Sequence, residues 1–593
     1  MKATQNTVQH YHKVVDCQYA CPAHTPVPEY IRLIAAERYT DAYMVNWESN
    51  VFPGILGRVC DRPCEPACRR GRIEGEAEEP VAICRLKRVA ADYKGSIEEF
   101  LPAIPRESNG KRVALIGAGP ASLAVARDLA PQGYEITLFD REQKAGGMMR
   151  TQIPMFRLPP EIIDEETNLI LDMGIDYRPN TEVTSLKAIL DQGFDAVFIG
   201  TGAPAGRDLQ IPGRQEGAAN IHIGIEFLAN VAFEHRNSIG RRVIILGGGN
   251  TAMDCCRTSR RIGGEDVKVV VRSPFRDMKA SPWEIDDAKN EDIPMYENHV
   301  PKEFLVENGK LVAMRFEKVY AEYDTNGRRT LVPTGEDPVI MPCDDVIIAI
   351  GQDNCFPWVE RDLGIQFNRW DMLQVNPETY QTDLPQVFVG GDAAFGPENI
   401  ITAVAHGHKA AISIDKYLQG EDVKQRPDPR YTLVSQKMGI HQWSYHNAVS
   451  DDDRFQVPHV DKDLALKDRR VEVELGFDKK LGFAETQRCL NCDVQTVFFG
   501  EKCIECDACE DICPMDCINF LPNEENEAQL RENLRVPAKN NTQDLFISDP
   551  LKTRKIMVKD EDVCVHCGMC AERCPTGAWD MQKFLFHEAQ VGK

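Results

Sequence analysis

Arg112–Ser122 reads RVALIGAGPAS, an apolar strand running into Gly117-Ala118-Gly119 with a helix opening at Pro120. Glycine is needed at such a turn so that the chain can reverse tightly and its backbone can approach a pyrophosphate. The positive end of the following helix then stabilises the anion. The next strand, YEITLFD, ends at Asp140, where an acid can hydrogen-bond a ribose hydroxyl. Gly-x-Gly alone would fit any tight strand-to-helix turn. Strand, glycines, helix, second strand and terminal acid together predict a dinucleotide-binding unit. Ser122 stands where a third glycine is usual, a change expected to loosen helix–strand packing slightly and leave the phosphate contacts intact.

A second unit follows at Arg242–Asp254, RVIILGGGNTAMD, in which Gly247, Gly248 and Gly249 open the helix. Its next strand, Val267–Val271, is followed by Arg272 instead of an acid. A guanidinium there suits a 2′-phosphate, which favours NADP over NAD; the alternative is a solvated charge at a strand end. Alternating strands and helices across residues 110–425 predict doubly wound α/β domains. Two further apolar strands end in glycine, AVFIGTG at Ala196–Gly202 and VIIAIG at Val346–Gly351, and VFVGGD closes at Asp392.

Taken with GGMMRTQIPMFRLP and GGGNTAMDCCRTSRR, these stretches resemble the FAD/NAD(P)-dependent flavoprotein body of the glutamate synthase small subunit and of the N-terminal part of dihydropyrimidine dehydrogenase. The resemblance implies that the first unit holds FAD and the inserted second unit holds the nicotinamide nucleotide. It assigns Gly117, Gly119, Asp140, Gly146, Gly147, Gly391 and Asp392 to FAD, with Pro120, Ser122, Arg157 and Gly202 among the expected cofactor-binding residues. It assigns Gly247, Gly249, Asn250 and Arg272 to NADP(H), with Thr251 beside them. No C-x2-C or C-x4-C disulfide motif lies in 110–425, and Cys255-Cys256 reads as helix packing. Electrons must therefore leave the flavin by another route, and no catalytic acid, base or nucleophile is expected, including His406 and His408.

The cysteines supply that route. Of 21, six fall in residues 17–84 and eleven in residues 489–574, a clustering that points to metal and away from a disulfide scaffold. Cys503, Cys506, Cys509 and Cys513-Pro514 follow C-x2-C-x2-C-x3-C-P, and Cys564, Cys567, Cys570 and Cys574-Pro575 repeat it. In this two-cluster ferredoxin pattern each run's fourth cysteine serves the other 4Fe–4S cluster. One cluster is therefore expected on Cys503, Cys506, Cys509 and Cys574, the other on Cys564, Cys567, Cys570 and Cys513. Zinc sites use paired C-x2-C knuckles instead of this triple run. Cys517 fits neither set and reads as structural.

The N-terminal cysteines resemble the helical iron–sulfur domain at the front of the same flavoprotein family. That resemblance implies a cluster on Cys21, Cys60, Cys64 and Cys84, the last in place of a glutamate or glutamine ligand. Cys17 and Cys68 are then stranded, because no R-C-L-x-C pair precedes Cys17. One occurs far downstream at Arg488–Cys492. The expectation is that Cys489 and Cys492 fold back to complete a cluster with Cys17 and Cys68; spare thiols, or a pair bound elsewhere, are the alternatives.

In sum, the sequence predicts a multidomain chain. Residues 1–105 form a helical iron–sulfur domain and 106–240 the first part of the FAD domain. Residues 241–345 form the NADP domain, 346–425 the second part of the FAD domain and 426–484 a connector. Residues 485–593 hold the cysteine pair and an α+β ferredoxin-like domain. With 69 basic against 92 acidic residues, the net charge of −23 argues against nucleic-acid binding. No apolar run is long enough for a membrane span, and the start lacks a signal-peptide core, so a cytoplasmic protein is expected. The expected role is an electron-transfer oxidoreductase subunit, passing electrons between NADP(H) and 4Fe–4S clusters through FAD in a larger complex of 2-oxoacid:acceptor oxidoreductase or glutamate synthase type. Its partners would be other subunits or ferredoxin. The alternative is a stand-alone NADPH:ferredoxin oxidoreductase.

Overall fold

The computed structural model describes residues 6–73, 79–438, 448–524, 526–537 and 544–592. The N-terminal domain is helical, built mainly from Val27–Ala35, Tyr39–Asn50, Pro53–Val59 and Ile83–Asp92. Proline in the first turns of Val27–Ala35 and Pro53–Val59 suits a position where no intrahelical N–H bond is needed. Cys60 is the residue that ends the helix Pro53–Val59, so the first cysteine of the trio leaves helical geometry at a fixed place.

Two five-stranded parallel sheets follow, each flanked by helices. The first orders its strands Val387–Val389, Ala196–Ile199, Arg112–Ile116, Glu135–Phe139 and Asp176–Arg178. The second orders Ile221–Ile223, Asp345–Ile348, Arg242–Leu246, Asp266–Val270 and Met295–Tyr296. Both central strands are buried Val/Ile/Leu runs, as strands covered on two faces require. A two-stranded crossing, Ala205–Gly206 against Gln352–Asp353, joins the two halves.

These pairings move the expected boundaries at 240 and 345. Ile221–Ile223 and Asp345–Ile348 both belong to the second sheet, so that domain begins before residue 241 and ends after residue 345. An antiparallel layer spanning His299–Pro342 packs against it.

The C-terminal domain has two three-stranded antiparallel sheets. One combines Ile518–Leu521, Ile556–Lys559 and Phe546–Ile547. The other places the long last strand, Trp579–His587, between Val494–Phe498 and Arg430–Ser435. The stretch 426–484 is therefore more than a connector. Its first part adds a strand to the C-terminal sheet, and its last part forms the helix Lys479–Thr486, capped by Asp478 accepting from Leu481 N at 2.7 Å.

The two ends of the chain share one core. Tyr11, Val15 and Tyr30 of the N-terminal domain are buried with Phe477, Val497, Phe584 and Phe586 from beyond residue 476. Each such large apolar side chain contributes about 1.5–3 kcal/mol when fully buried, enough to hold the two cysteine-bearing regions together.

Candidate functional site

The first sheet ends in the expected turn. Gly117 has φ +92°, and a Cβ there would lie 2.8 Å from Gly200 O, so only glycine fits. Gly119 caps the helix Pro120–Leu129, and a Cβ there would meet only Gly200 O, at an ordinary contact distance of 3.7 Å. Gly147 has φ +51°, and its Cβ would meet Gly119 Cα at 2.8 Å, so the loop carrying Gly146 and Gly147 lies backbone to backbone on the first turn. Gly117, Gly119, Pro120, Asp140, Gly147, Arg157, Gly202, Gly391 and Asp392 line one cleft of about 650 Å³ together with Asn250 and Thr251 of the second unit. The size, the bare backbone at Gly119 and the unpartnered buried Thr201 Oγ1 suit an extended dinucleotide.

Several side chains take roles other than those expected. Asp140 accepts from Ala118 N at 2.5 Å and from Glu142 N at 2.7 Å, so its carboxylate braces the glycine turn as well as bordering the cleft. Burial pushes its pKa up. Ser122 does not reach the cleft. It is fully buried against Gly200, where an added Cβ would come within 2.2 Å of its Oγ, so it packs the helix onto the sheet. Arg157 borders the cleft, but its guanidinium is committed to Asp254, at 2.7 and 2.9 Å, and to Glu284. It ties the flavin half to the second domain and is not free for a phosphate. Asp392 opens a helical turn and accepts from Glu398 N at 3.1 Å; burial pushes its pKa up to about 6.

In the second unit Gly247 has φ +137°, with a Cβ position 2.1 Å from Ala349 O, and Gly249 caps the helix Asn250–Arg261. The Asn250 side chain accepts from Ser281 N at 2.8 Å, which fixes the loop beside the glycines. Arg272 is exposed just past the strand Asp266–Val270. The buried Cys255 and Cys256 Sγ atoms face the carbonyls of Gly224 and Met253, the packing role expected of them. His408 is a tether, with Nδ1 2.5 Å from Asp128 Oδ2 and Nε2 2.8 Å from Ser49 O.

The cysteines converge in four sets. Cys21, Cys60, Cys64 and Cys84 are all buried, Cys21, Cys60 and Cys84 in one core, with the buried Lys87 one turn beyond Cys84. Residues next to Cys60 open this set towards the cleft: Val59 and Asp61 line it, Ser281 Oγ donates to Asp61 at 3.2 Å, and Arg62 lies 4.2 Å over the Trp283 ring. Cys17, Cys68, Cys489 and Cys492 line one small buried pocket, so the downstream pair does fold back onto the N-terminal domain. Arg32 holds that pair in place by a bidentate contact to Asp493, with Nη1 2.7 Å from Oδ1. Tyr30, wholly buried, shares one core with Cys64 of the first set and with Cys17 and Cys489 of the second.

Cys503, Cys506, Cys509 and Cys574 line a third pocket. In the fourth set Cys564 and Cys570 are buried in one core with Cys513 packed against it, and Cys567 is exposed. Cys517, read from sequence as standing apart, places its Sγ 3.4 Å from Cys513 Sγ, against this fourth set. All 21 thiols are free of disulfides. Four groups of four soft sulfur donors, two of them wholly or largely buried and two reaching the surface at Cys506 and Cys567, fit 4Fe–4S cubes.

A helical thiol domain, two glycine-turn sheets sharing one cleft and a dicluster fold define an FAD- and NADP-dependent iron–sulfur oxidoreductase. Residues 111–407 match the pyridine nucleotide-disulphide oxidoreductase family, and the chain belongs to that family. Residues 9–98 match dihydropyrimidine dehydrogenase domain II with its 4Fe-4S cluster, and 502–578 match a 4Fe-4S dicluster domain. The chain is 34% identical over 504 residues to the NADP(+)-dependent formate dehydrogenase subunit beta of Moorella thermoacetica, covering 80% of this chain and 70% of the relative. It is 31% identical over 526 residues to the NADPH-Fe(3+) oxidoreductase subunit beta of Geobacter sulfurreducens (81% and 76%). It is 30% identical over 423 residues to the glutamate synthase [NADPH] small chain of Azospirillum brasilense (68% and 86%). No helix among the described residues is long and apolar enough to cross a membrane.

Proposed function

We propose that this chain is the electron-transfer subunit of a larger oxidoreductase, exchanging electrons between NADP(H) and a partner subunit. One observation carries the reading: the Cys21 set lies directly behind the cleft through Val59 and Asp61, and three further thiol sets continue to the exposed Cys506 and Cys567. When bound, FAD accepts hydride from a nicotinamide and releases electrons singly, and iron–sulfur cubes carry them one at a time.

The residues do the placing. Gly117, Gly119 and Gly147 bring backbone N–H groups to the pyrophosphate of FAD, and Gly202, Gly391 and Asp392 border the rest of the cofactor. Gly247, Gly249, Asn250 and Thr251 do the same for the nicotinamide nucleotide, with Arg272 supplying a cation for its 2′-phosphate. Arg157, through Asp254 and Glu284, keeps the two nucleotide halves in register. The ligand sets are Cys21/Cys60/Cys64/Cys84, Cys17/Cys68/Cys489/Cys492, Cys503/Cys506/Cys509/Cys574 and Cys513/Cys564/Cys567/Cys570. The relatives named as beta subunits and as a small chain support a role inside a complex.

The test is anaerobic titration of the brown holoprotein with NADPH. Bleaching of the iron–sulfur absorbance is expected; an unchanged spectrum refutes the reading. Co-purification of a large partner from the native host supports the subunit role over a stand-alone reductase, and a solitary chain active on free ferredoxin opposes it.

A further inference from the structure

Arg69 follows Cys68 in sequence and has one of the largest fully buried side chains in the protein, 2% exposed. Its guanidinium spans two of the thiol sets. Towards the N-terminal side, Nε and Nη2 donate to Asp16 Oδ2 at 3.0 and 2.8 Å, and Asp16 precedes Cys17. Towards the C-terminal side, Nη1 donates to the carbonyl of Cys564 itself at 2.5 Å and to that of Glu561 at 2.6 Å, and lies 3.1 Å from His566 Nε2. No arginine in the middle of CRRG would be expected inside a core unless something there needed a cation.

We propose that Arg69 makes the Cys17/Cys68/Cys489/Cys492 set and the Cys513/Cys564/Cys567/Cys570 set neighbours in the electron path, and that its charge raises the reduction potential of both centres. The inference rests on the ligand sets proposed above. One electron, drawn from the pyridine nucleotide, leaves the first centre and reduces the second by one; no bond breaks and no proton moves. Each reduction adds negative charge, which a fixed buried cation between the sets favours. The Cys503 set, whose pocket contains no part of Arg69, then lies beyond the Cys564 set.

The test is an anaerobic redox titration of the iron-loaded full chain followed by electron paramagnetic resonance, after iron analysis of the same samples. In the wild-type protein, full reduction by dithionite is expected to give spin–spin broadening that includes the Cys17/Cys68/Cys489/Cys492 centre as well as the two centres of the dicluster domain. In Arg69→Gln, the reduction equilibria of the Cys17/Cys68/Cys489/Cys492 and Cys513/Cys564/Cys567/Cys570 centres are expected to shift about tenfold towards the oxidised form, about 59 mV for one electron. Arg69→Lys, which keeps the charge, is expected to return most of that shift. Should Arg69→Gln fail to fold, the wild-type spectrum still decides: broadening confined to the two centres of the dicluster domain, or four uncoupled signals, overturns the proposal. Full iron content with unshifted potentials, or an equal shift of all four centres, also overturns it and leaves the ligand sets standing. Wild-type iron well below four cubes overturns both.

Discussion

Removing the Asp493 carboxylate tests whether the distant cysteine pair is locked onto the N-terminal domain. Arg32 and Asp493 have side chains only 4% exposed, and their bidentate contact fixes the residue directly after Cys492. Deleting one partner of a buried pair costs about 3–5 kcal/mol, because the other charge is left in a low-dielectric interior. Arg32 keeps a second partner, Glu29 at 2.6 Å, so Asp493→Ala belongs at the lower end, about 3 kcal/mol. That is roughly a hundredfold in the equilibrium between docked and undocked loop. The assay is iron per chain in anaerobically purified protein, with a thermal melt alongside. Asp493→Ala is expected to lose about four iron, the content of one cube, while keeping its flavin. The double variant Arg32→Met/Asp493→Leu, which removes both charges, is expected to recover part of the loss. An Asp493→Ala protein with wild-type iron and an unchanged melt would refute the reasoning.

Other substitutions test other joints. Glu166 accepts from Gly54 N, Ile55 N and Tyr43 Oη, yet burial pushes its pKa from 4.5 up to about 7. The folded state thus binds this proton more tightly than the unfolded one. The contribution is fully present below about pH 4.5 and is lost as pH rises through about 7, a change of roughly 3 kcal/mol. Glu166→Gln is expected to flatten the difference between melts near pH 5 and near pH 8; an unaltered difference would show that other groups set it. Gly117→Ala forces a side chain onto a backbone at φ +92° and 2.8 Å from Gly200 O, at a cost of about 1–3 kcal/mol, and is expected to yield flavin-poor protein by absorbance. Arg272→Glu removes the cation proposed for the 2′-phosphate, where a charge-assisted contact is worth about 1.5–3 kcal/mol, and is expected to cut the preference for NADPH over NADH at least about tenfold in kcat/KM, leaving the NADH rate in place.

Much of this architecture was legible because it is written locally. RVALIGAGPAS and RVIILGGGNTAMD carry strand, turn and helix within a dozen residues each, and the strands pair in the order a doubly wound sheet requires. The Arg488–Cys492 motif pointed across more than 400 residues of chain because Cys17 and Cys68 lacked partners, and the pocket they share with Cys489 and Cys492 brings the four together. What escaped the sequence depends on long-range pairing. Arg430–Ser435 reads as a polar connector because RYTLVS buries no face, only Leu433 being even partly covered, and only its pairing with Gln582–His587 makes it a strand. Ile221–Ile223 is too short to signal a strand alone and is recruited by Val346–Ile348. Arg157 was expected at the cofactor, and Arg32 and Arg69 lie in no motif; the carboxylates that pair with all three come from other parts of the fold. Ser122 read as a weakened glycine, whereas Gly200 gives way to make room for it.

The most direct test of the whole account is chemical analysis of the chain purified without air. Four sulfur-bound cubes and one flavin call for near sixteen iron, matching sulfide and one FAD per polypeptide. Near twelve iron would mean that the pair at Cys489 and Cys492 closes no cube with Cys17 and Cys68, and zinc in place of iron would contradict the electron-transfer reading outright.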